Sequence, residues 1–318
     1  MPQMTPLRAW SSAHYDVTLP AGHPFPIAKY ATLRDEIIRR CILRPDELSA
    51  SDLAPREWLA SAHDPAYVAR ALRGELSRAE ERRLGLPWSE ALVRRARGAV
   101  YGTVAAARAA LEHGIAGNLA GGTHHAYPDR AEGYCLFNDV AVTIAVLRSE
   151  GAAERPLIVD LDVHQGNGTA VFFAEDETVF TFSMHAANNY PQPKERSRLD
   201  VELPDRSGDA EYLGLLAEHL DRLYDEHAPD LVFYQAGVDA LEADRLGRLS
   251  LTHEGLARRD ELVFRAAERR GLPVVITLGG GYGQPLEASV DAHLNVWKVA
   301  RASLERRSAP ATETAASQ

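Results

Sequence analysis

The sequence has only two cysteines, Cys41 and Cys135, among its 318 residues. So few cysteines exclude the disulfide framework of a small secreted domain and favour a reducing compartment. A chain of this length, with 45% apolar residues, can bury a large core without disulfides or a structural metal. A basic excess is also lacking, because the formal net charge is -10. This balance argues against a dedicated nucleic-acid binder, which normally presents a basic face.

Long apolar segments are missing as well. No stretch approaches the ~18 consecutive apolar residues of a membrane-spanning helix, and residues 1–15 lack the apolar run of a signal peptide. We therefore expect a cytoplasmic protein without a membrane span. Arginine supplies all but three of the 35 basic residues, a bias typical of a GC-rich, and hence bacterial, genome.

The chain shows no internal repeat and no long linker, which favours a single domain over residues 1–307. Residues 308–318 are small and polar, so we expect a flexible C-terminal tail there. The N-terminal part is predicted to be mainly helical, with helices at residues 27–43, 56–73 and 89–113.

From residue 115 onward, short apolar runs alternate with helical stretches. Several of the runs are rich in β-branched residues, which is typical of strands buried on both faces. This alternation predicts an α/β fold with a parallel sheet and helices on both of its faces. The predicted strands are at residues 115–120, 157–163, 178–184, 230–236 and 273–278, and the predicted helices at residues 138–150, 210–227 and 252–270.

Unusual polar residues follow the end of each predicted strand. In open parallel sheets, ligands bind outside the carboxyl ends of the strands. The sequence therefore predicts one functional site assembled from five strand ends. Its members, in chain order, are His124 and His125, then Asp160, Asp162 and His164, then Ser183 and Met184, then Asp239, and finally Tyr282.

A metal site is the first interpretation of these residues. We expect Asp160, Asp162 and His164 to alternate along one strand, and residues two apart point to the same face. Together with Asp239 they offer nitrogen and carboxylate donors, which suit zinc, iron, cobalt or manganese better than calcium. Three protein ligands would leave a coordination position open, as in catalytic zinc sites. The alternative is that these side chains only cap strand ends and bind backbone groups.

The adjacent His124 and His125 suit proton transfer or transition-state stabilisation beside a metal. They could be metal ligands instead, although the carboxylates already suffice. Each neutral ring needs an orienting partner on its far nitrogen, and Asp160 and Asn167 are the candidates. The hydroxyl of Tyr282, which follows three glycines, could bond a developing oxyanion.

Two further tyrosines, Tyr134 and Tyr190, could wall a narrow apolar slot, with ordinary packing as the alternative. Cys135 has no clear base partner once the histidines are assigned to the metal site. We interpret it as a small buried residue rather than a nucleophile.

At this point the motifs resemble the zinc-dependent histone deacetylase family. The resemblance extends over residues 115–285 and is most like the class IV branch and its bacterial relatives. It implies an arginase-like fold, a three-layer αβα arrangement with a mainly parallel, roughly eight-stranded sheet. The matching stretches are GGTHHAYPDRAEGYCLFNDVAV, VDLDVHQGNGTA, TFSMH, YQAGVDALEADRLGRLS and LGGGYG, with HPF and AHDPAYV nearer the start.

The resemblance also implies roles for individual residues. One zinc ion would be held by Asp162, His164 and Asp239. His125 would match the general base and acid, with His124 as the electrostatic partner that binds the water. Tyr282 would match the phenol that polarises the scissile carbonyl.

A substrate tunnel and a potassium ion are implied in the same way. In the tunnel, the carbonyl of Gly133 would accept from the substrate amide, Tyr134 and Tyr190 would form walls, and Leu246 would lie at the mouth. A structural potassium ion would use Asp160, Ser183 and the backbone carbonyls of Asp162, His164 and Met184.

The sequence departs from the family pattern at two places. Asn167 stands where many relatives have an aspartate behind the general base. Residues 74–90 contain no aspartate to match the rim residue that grips the substrate backbone in several relatives.

The expected reaction is removal of an acyl group, acetyl or longer, from the side-chain amine of an N-acyl-lysine peptide or protein. A related acylated amine, such as an acyl-polyamine or another small amide, is the main alternative substrate. A ureohydrolase-like enzyme with two manganese ions would need additional acids, and neither Gln165 nor the residues after Asp239 supply them. A binding module without turnover is disfavoured because His125 and Tyr282 are both present.

Overall fold

Eight strands form a single sheet at the centre of the computed structural model, which describes residues 5–308. The strands are β1 (Arg8–Ser11), β2 (Leu48–Ala50), β3 (Ile115–Asn118), β4 (Pro156–Asp160), β5 (Phe180–Ala186), β6 (Leu199–Leu203), β7 (Leu231–Gln235) and β8 (Val274–Thr277). Their order across the sheet is β2-β1-β3-β8-β7-β4-β5-β6. Every neighbouring pair is parallel, which confirms the predicted α/β class and parallel sheet.

In the described part of the chain, ten α-helices connect and cover the strands. They are α1 (Ala28–Arg39), α2 (Arg56–Ala60), α3 (Pro65–Arg73), α4 (Arg78–Leu84), α5 (Glu90–His113), α6 (Asp139–Ser149), α7 (Asn167–Phe172), α8 (Asp209–His227), α9 (His253–Glu268) and α10 (Leu286–Ser308), with one 3₁₀ turn at Pro45–Glu47. Within residues 5–308 no helix has both the length and the apolar character needed to cross a membrane.

The three-layer arrangement follows from the alternation of side chains along the central strands. Ile158 and Phe233 pack into a cluster with apolar residues of α5 and α6. Their neighbours Val159 and Tyr234 belong to a second cluster that includes residues of α8, α9 and α10. Because successive side chains point to opposite faces of a strand, both faces of the sheet are buried under helices.

The five predicted strands correspond to β3, β4, β5, β7 and β8, which lie side by side in the sheet. The sequence did not predict β1, β2 and β6, which flank them. The reason is exposure at the sheet edges: no residue of β2 is buried, and in β6 only the last residue, Leu203, is. Such short, half-polar segments lack the apolar runs that identify buried strands.

Several predicted elements end earlier than expected, among them the helix predicted at residues 27–43, which ends at Arg39. The helix predicted at residues 56–73 is broken, because Asp64 caps a new helix by accepting from the backbone of Ala66 and Tyr67, and Pro65 occupies its first position. This is the usual chemistry of a helix start. The strand predicted at residues 157–163 ends at Asp160, so Asp162 and His164 lie in the following loop and do not alternate along the strand.

The division into one domain and a tail stays a prediction. Of the predicted tail at residues 308–318, only Ser308 is among the described residues, and it is the last residue of α10.

We expect the sheet core to dominate stability. Phe233 on β7 is fully buried, and replacing it with alanine should lower the free energy of unfolding by about 3–5 kcal/mol, because the lost apolar contacts leave a cavity. Leu111→Ala on α5, where the side chain is 36% exposed, is the matched control and should change it by less than about 0.5 kcal/mol. Urea unfolding of both variants measures this, and equal losses would contradict the assignment of the core.

Candidate active site

The residues singled out in the sequence gather at one edge of the sheet. His124 and His125 follow β3, Asp162 and His164 follow β4, and Asp239 follows β7. The neighbouring strand β8 leads into Gly279–Tyr282. Because the carboxyl ends of adjacent parallel strands meet at the same edge, these loops converge in space.

Three side chains form a compact group of possible metal donors. Asp162, His164 and Asp239 are buried, and each offers one ligand atom within 4.8 Å of the other two. The Nδ1 atom of His164 lies 3.0 Å from Asp162 Oδ1 and 3.1 Å from Asp239 Oδ2. Within residues 5–308 this is the one group of three or more such donors.

The electrostatics of this group suit a cation. Burial, together with the charge of Asp162, raises the pKa of Asp239 to about 7. Burial alone would lower the pKa of His164, but Asp162 and Asp239 outweigh it and raise that pKa to about 10. Without a metal ion, a proton shared between His164 and the two buried carboxylates therefore offsets much of their negative charge, and a divalent ion could take the place of that proton.

The glycines before Tyr282 let the backbone pass directly against these carboxylates. The backbone N–H of Gly280 donates to Asp162 Oδ2 at 2.6 Å. A Cβ atom added to Gly280 would lie 1.8 Å from Asp239 Oδ2, so no other residue fits this position without displacing the Asp239 carboxylate.

His124 is oriented by a carboxylate. Its Nδ1 donates to Asp160 Oδ2 at 2.7 Å, and its Nε2 lies 3.9 Å from Asp162 Oδ1. Burial would lower the pKa of His124, but Asp160 and Asp162 raise it to about 9. His124 is therefore a charged imidazolium at neutral pH.

His125 is oriented by a neutral amide, and the hydrogen bonds fix its tautomer. The side-chain nitrogen of Asn167 donates to the Tyr127 hydroxyl at 3.0 Å and to Glu132 Oε1 at 3.1 Å. The carbonyl oxygen of Asn167 must then accept from His125 Nδ1, at 2.6 Å. In a neutral ring, a proton on Nδ1 leaves Nε2 as the acceptor.

Burial and the neighbouring His124 and His164 hold the pKa of His125 well below its ordinary value. His125 is therefore neutral at pH 7, in contrast to the charged His124, although the two ring centroids are only 4.1 Å apart.

Tyr282 is held by its backbone rather than by its hydroxyl. Its N–H donates to Asp244 Oδ2 at 2.6 Å, whereas its hydroxyl has no hydrogen-bond partner within the described part of the chain. Burial and the charges of Asp239 and Asp162 raise the pKa of Tyr282 well above its ordinary value. The phenol therefore keeps its proton and can donate a hydrogen bond to a ligand.

His125, His164 and Tyr282 line a cavity of about 430 Å³. The same three residues also border a smaller cavity of about 50 Å³, where Phe25, Leu92 and Arg95 are among the other lining residues. The predicted tunnel residues that border the larger cavity are Gly133, Tyr134, Tyr190 and Leu246.

The residues predicted to hold potassium lie on adjacent strands. Asp160 on β4 is paired in register with Ser183 on β5, and Met184 follows directly. Ser183 Oγ lies 2.9 Å from His185 Nδ1. Within residues 5–308 no backbone or side-chain group donates to the carbonyl oxygens of Asp162 and His164.

Three contacting residues were not predicted from the sequence. Glu132 accepts from Asn167 and, at 2.6 Å, from the Tyr190 hydroxyl. Asp244 holds the backbone of Tyr282. Lys29 on α1 is only 1% exposed, and its ammonium donates to the carbonyl of Gly279 at 3.3 Å. Glu132 and Asp244 lie within the motifs that carry the family resemblance, so the sequence could have indicated them as site residues. Lys29 lies on α1, outside these motifs, and no sequence pattern indicates its contact with the site.

Comparison with known proteins agrees with this geometry. A model of the histone deacetylase domain matches residues 23–297. An uncharacterised protein of Picosynechococcus sp. is 45% identical over 287 residues, which cover 90% of this chain and 96% of that protein. Histone deacetylase 2 of Arabidopsis thaliana is 38% identical over 186 residues, which cover 58% of this chain and 48% of that protein.

The fold is shared with solved structures. The crystal structure of an HDAC homolog complexed with SAHA superimposes with a TM-score of 0.78 at 24% sequence identity, and covers 96% of this chain and 85% of that one. The eight-stranded parallel sheet with helices on both faces is thus the arginase-like fold that the resemblance implied. Because the domain model spans most of the sequence, the chain belongs to the histone deacetylase family.

Proposed function

We propose that the protein is a zinc-dependent hydrolase that removes an acyl group from the side-chain amine of N-acyl-lysine or a related amide. One observation carries the proposal: His164, a member of the three-donor group, lines the same cavity as His125 and Tyr282. A possible metal ligand, a neutral base and a protonated phenol thus face one space. The products would be a free amine and a carboxylate.

Asp162, His164 and Asp239 would hold the zinc ion. Their mixed nitrogen and oxygen donors, and the buried negative charge that they share, fit a catalytic zinc site. When bound, zinc supplies Lewis-acid polarisation of the amide carbonyl and lowers the pKa of water.

The two histidines divide the proton chemistry between them. Nε2 of His125 is free to take a proton from the attacking water and to return it to the leaving amine. His124, held by Asp160 through its Nδ1, would act as the electrostatic partner that binds the attacking water. Asp160 and Asn167 orient the two rings through their hydrogen bonds to Nδ1.

Tyr282 would donate a hydrogen bond to the carbonyl oxygen as negative charge develops on it. Its raised pKa keeps the donor proton in place. Asp244 fixes the loop that carries the phenol, so little reorganisation is needed when the substrate binds.

The substrate chain would lie in the larger cavity. Tyr134 and Tyr190 would pack on either side of it, with Leu246 at the mouth, and the carbonyl of Gly133 would accept from the amide N–H. Gly133 has a φ of +55°, and a Cβ there would lie 2.6 Å from His125 Cδ2. The tunnel wall and the base are thus packed directly against each other.

A potassium ion fits beside the zinc site. Asp160 and Ser183 are neighbours on β4 and β5, and the carbonyls of Asp162 and His164 accept no other hydrogen bond within the described residues. With the carbonyl of Met184, these oxygens would suit a monovalent cation that stiffens the turn carrying two zinc ligands.

One metal ion per chain is favoured over two. The single three-donor group within residues 5–308 supplies no second set of acids for a two-manganese centre. A purely binding role is disfavoured, because His125 and Tyr282 are both present and correctly protonated. The cytoplasmic location stays an expectation from the cysteine content.

The acyl group can be longer than acetyl. The smaller inner cavity is bordered by Phe25 and Leu92, and each methylene buried there would contribute about 0.8 kcal/mol. The test of the proposed function is zinc-loaded protein with acetyl-, octanoyl- and myristoyl-lysine versions of one peptide, and mass spectrometry of the released amine. No hydrolysis of any of them would overturn the proposal, and a rate that falls steadily with length would restrict it to acetyl groups.

Removal of one metal donor should abolish metal content. In Asp239→Ala the three-donor group loses a carboxylate, and in Asp239→Asn it loses the charge while Oδ1 can still accept from the Val163 backbone, as it does now at 2.9 Å. We expect less than a tenth of the wild-type zinc in both, measured by elemental analysis, with an unchanged circular dichroism spectrum. Asp35→Ala, at an exposed carboxylate, should bind zinc normally. Full zinc content in Asp239→Asn would contradict the ligand assignment.

Tyr282 should act on turnover and not on affinity. Loss of one oxyanion donor typically costs about 10²–10³ in turnover, so Tyr282→Phe should lower kcat by that factor with little change in KM or in affinity for SAHA. Tyr134→Phe is the matched control, because Tyr134 lines the same cavity, and it should keep nearly full kcat. If Tyr282→Phe weakened binding while kcat held, Tyr282 would be only a wall of the cavity.

Asn167 should set the acid limb of the pH profile. In Asn167→Asp a negative charge would face His125 Nδ1, stabilise the imidazolium and raise the pKa of His125. Because hydrolysis needs the neutral base, the acid limb of kcat/KM should move to higher pH, as measured from pH–rate profiles on one substrate.

The neighbouring Glu132 provides a control for this shift. The new carboxylate at position 167 would repel Glu132, which Asn167 now contacts at 3.1 Å. In the double variant Asn167→Asp with Glu132→Gln, the glutamine amide can donate to the new carboxylate, so this repulsion is absent. The acid limb of kcat/KM for the double variant should therefore lie at higher pH than the acid limb for Glu132→Gln alone. A limb that stays in place or moves to lower pH in both comparisons would mean that another group controls it.

A further inference from the structure

We propose that the cavity mouth selects amine carriers that bear a carboxylate or another anionic group close to the acylated nitrogen. This inference rests on the proposed function and names the substrate class of the same site. It is carried by two arginines, Arg83 and Arg248, which come from separate parts of the chain and line the same cavity as the catalytic groups.

The charged side chains that border this cavity are of one sign. Apart from the buried histidines, the charged residues that line the cavity are Arg83 and Arg248. Asn188, Asn189 and Leu246, which also line it, are neutral. Within residues 5–308 no aspartate or glutamate lines it. This local charge is opposite to that of the whole chain, which carries a formal net charge of -10.

Arg83 lies in the last turn of α4 and is exposed. Its backbone carbonyl accepts from the N–H of Gly133 at 3.2 Å, so its main chain is fixed to the tunnel wall. Within the described residues no carboxylate pairs with its guanidinium. A basic residue in the last turn of a helix can have no other role than to offset the helix dipole. This role suffices for the neighbouring Arg82, which is exposed and does not line the cavity. Arg83, in contrast, lines the cavity.

Arg248 is held in a defined place by the loop after β7. Its backbone N–H donates to Asn189 Oδ1 at 2.9 Å, and its Nη1 donates to Asp205 Oδ2 at 3.0 Å. Asp205 offsets part of its charge, but a guanidinium has five N–H donors. The donors on Nε and Nη2 are left for a ligand.

The carboxylates that contact lining residues from outside are already engaged. Glu132 accepts from Tyr190 and from Asn167, lies 3.6 Å from the guanidinium of Arg130, and has a side chain only 14% exposed. Asp205 accepts from Arg248 and from Asn188. A polyamine carrier would therefore meet two guanidinium groups, whereas the neighbouring acids already have partners. A carrier with a carboxylate would instead gain charge-assisted hydrogen bonds at the mouth.

The test compares carriers with the same acyl group. Three acetyl-lysine peptides of equal length, flanked by glutamate, glutamine or lysine, and monoacetylspermidine are assayed with the zinc-loaded protein. We expect kcat/KM to fall from the glutamate to the glutamine to the lysine peptide, by about two- to fivefold at each step, as for exposed ion pairs. The acetylspermidine should be the poorest of the four. The preference should shrink between about 0.01 M and about 1 M salt, where the screening length falls from roughly 30 Å to roughly 3 Å.

Variants assign the preference to the two arginines. Arg83→Gln and Arg248→Gln should each reduce the glutamate-over-lysine ratio by about two- to fivefold, mainly through the KM of the glutamate peptide, while kcat for the glutamine peptide holds. Arg248→Gln is also made together with Asp205→Asn, so that no acid is left unpaired. Arg82→Gln, one residue outside the lining, is the matched control and should keep the wild-type ratio.

The outcomes separate this inference from the proposed function. Hydrolysis of all three peptides at equal kcat/KM, or a preference that Arg82→Gln reduces as much as Arg83→Gln does, would overturn the inference and leave the proposed function standing. Faster hydrolysis of acetylspermidine than of the glutamate peptide would also overturn it. Absence of hydrolysis of every carrier, including the neutral peptide, would overturn the proposed function and this inference with it.

Discussion

Buried negative charge at the ends of β4 and β7 is the constraint on which the rest of the site depends. Asp160, Asp162 and Asp239 are all almost inaccessible to solvent, and removing a carboxylate from water costs several kcal/mol unless it is paired or hydrogen-bonded. The surrounding elements supply donors to each of them. His124 donates a hydrogen bond to Asp160, the backbone N–H of Gly280 donates to Asp162, and the backbone N–H of Val163 donates to Asp239. The glycine loop and the histidine pair thus have a structural role as well as the proposed chemical one.

A buried arginine lies beneath this cluster. Arg259 on α9 is fully buried and donates to the carbonyls of Leu161 and Gly237, which precede the metal-donor residues on the two loops. Its own charge is balanced by Asp260, which it contacts at 2.9 Å. One guanidinium therefore ties the two loops together from below, so the separation of the carboxylates is set by the scaffold and not by a bound ion alone.

The sequence predicted which residues gather at one edge of the sheet better than it predicted the helices and strands that carry them. The central strands were identifiable because both of their faces are buried, and parallel strand ends must meet at one edge. Asp162 and His164 were expected to alternate along a strand, but their backbone N–H groups bond to the side chains of Asp160 and Asp162, at 3.2 and 3.0 Å, instead of to a neighbouring strand. Such local bonds compete with a sheet ladder. The contacts of Lys29 and Arg83 arise from tertiary packing of α1 and α4, which no local pattern encodes.

The departure at position 167 has a physical explanation in its neighbour. The family resemblance implies an aspartate at this position, whereas here Asn167 stands between His125 and the carboxylate of Glu132. Two carboxylates at this separation would repel each other in a buried setting, whereas an amide accepts on one side and donates on the other. Glu132 in turn holds the hydroxyl of Tyr190 on the cavity wall. The neutral residue thus lets one chain of hydrogen bonds connect His125 to the cavity wall, with the negative charge on Glu132 and not directly beside the imidazole.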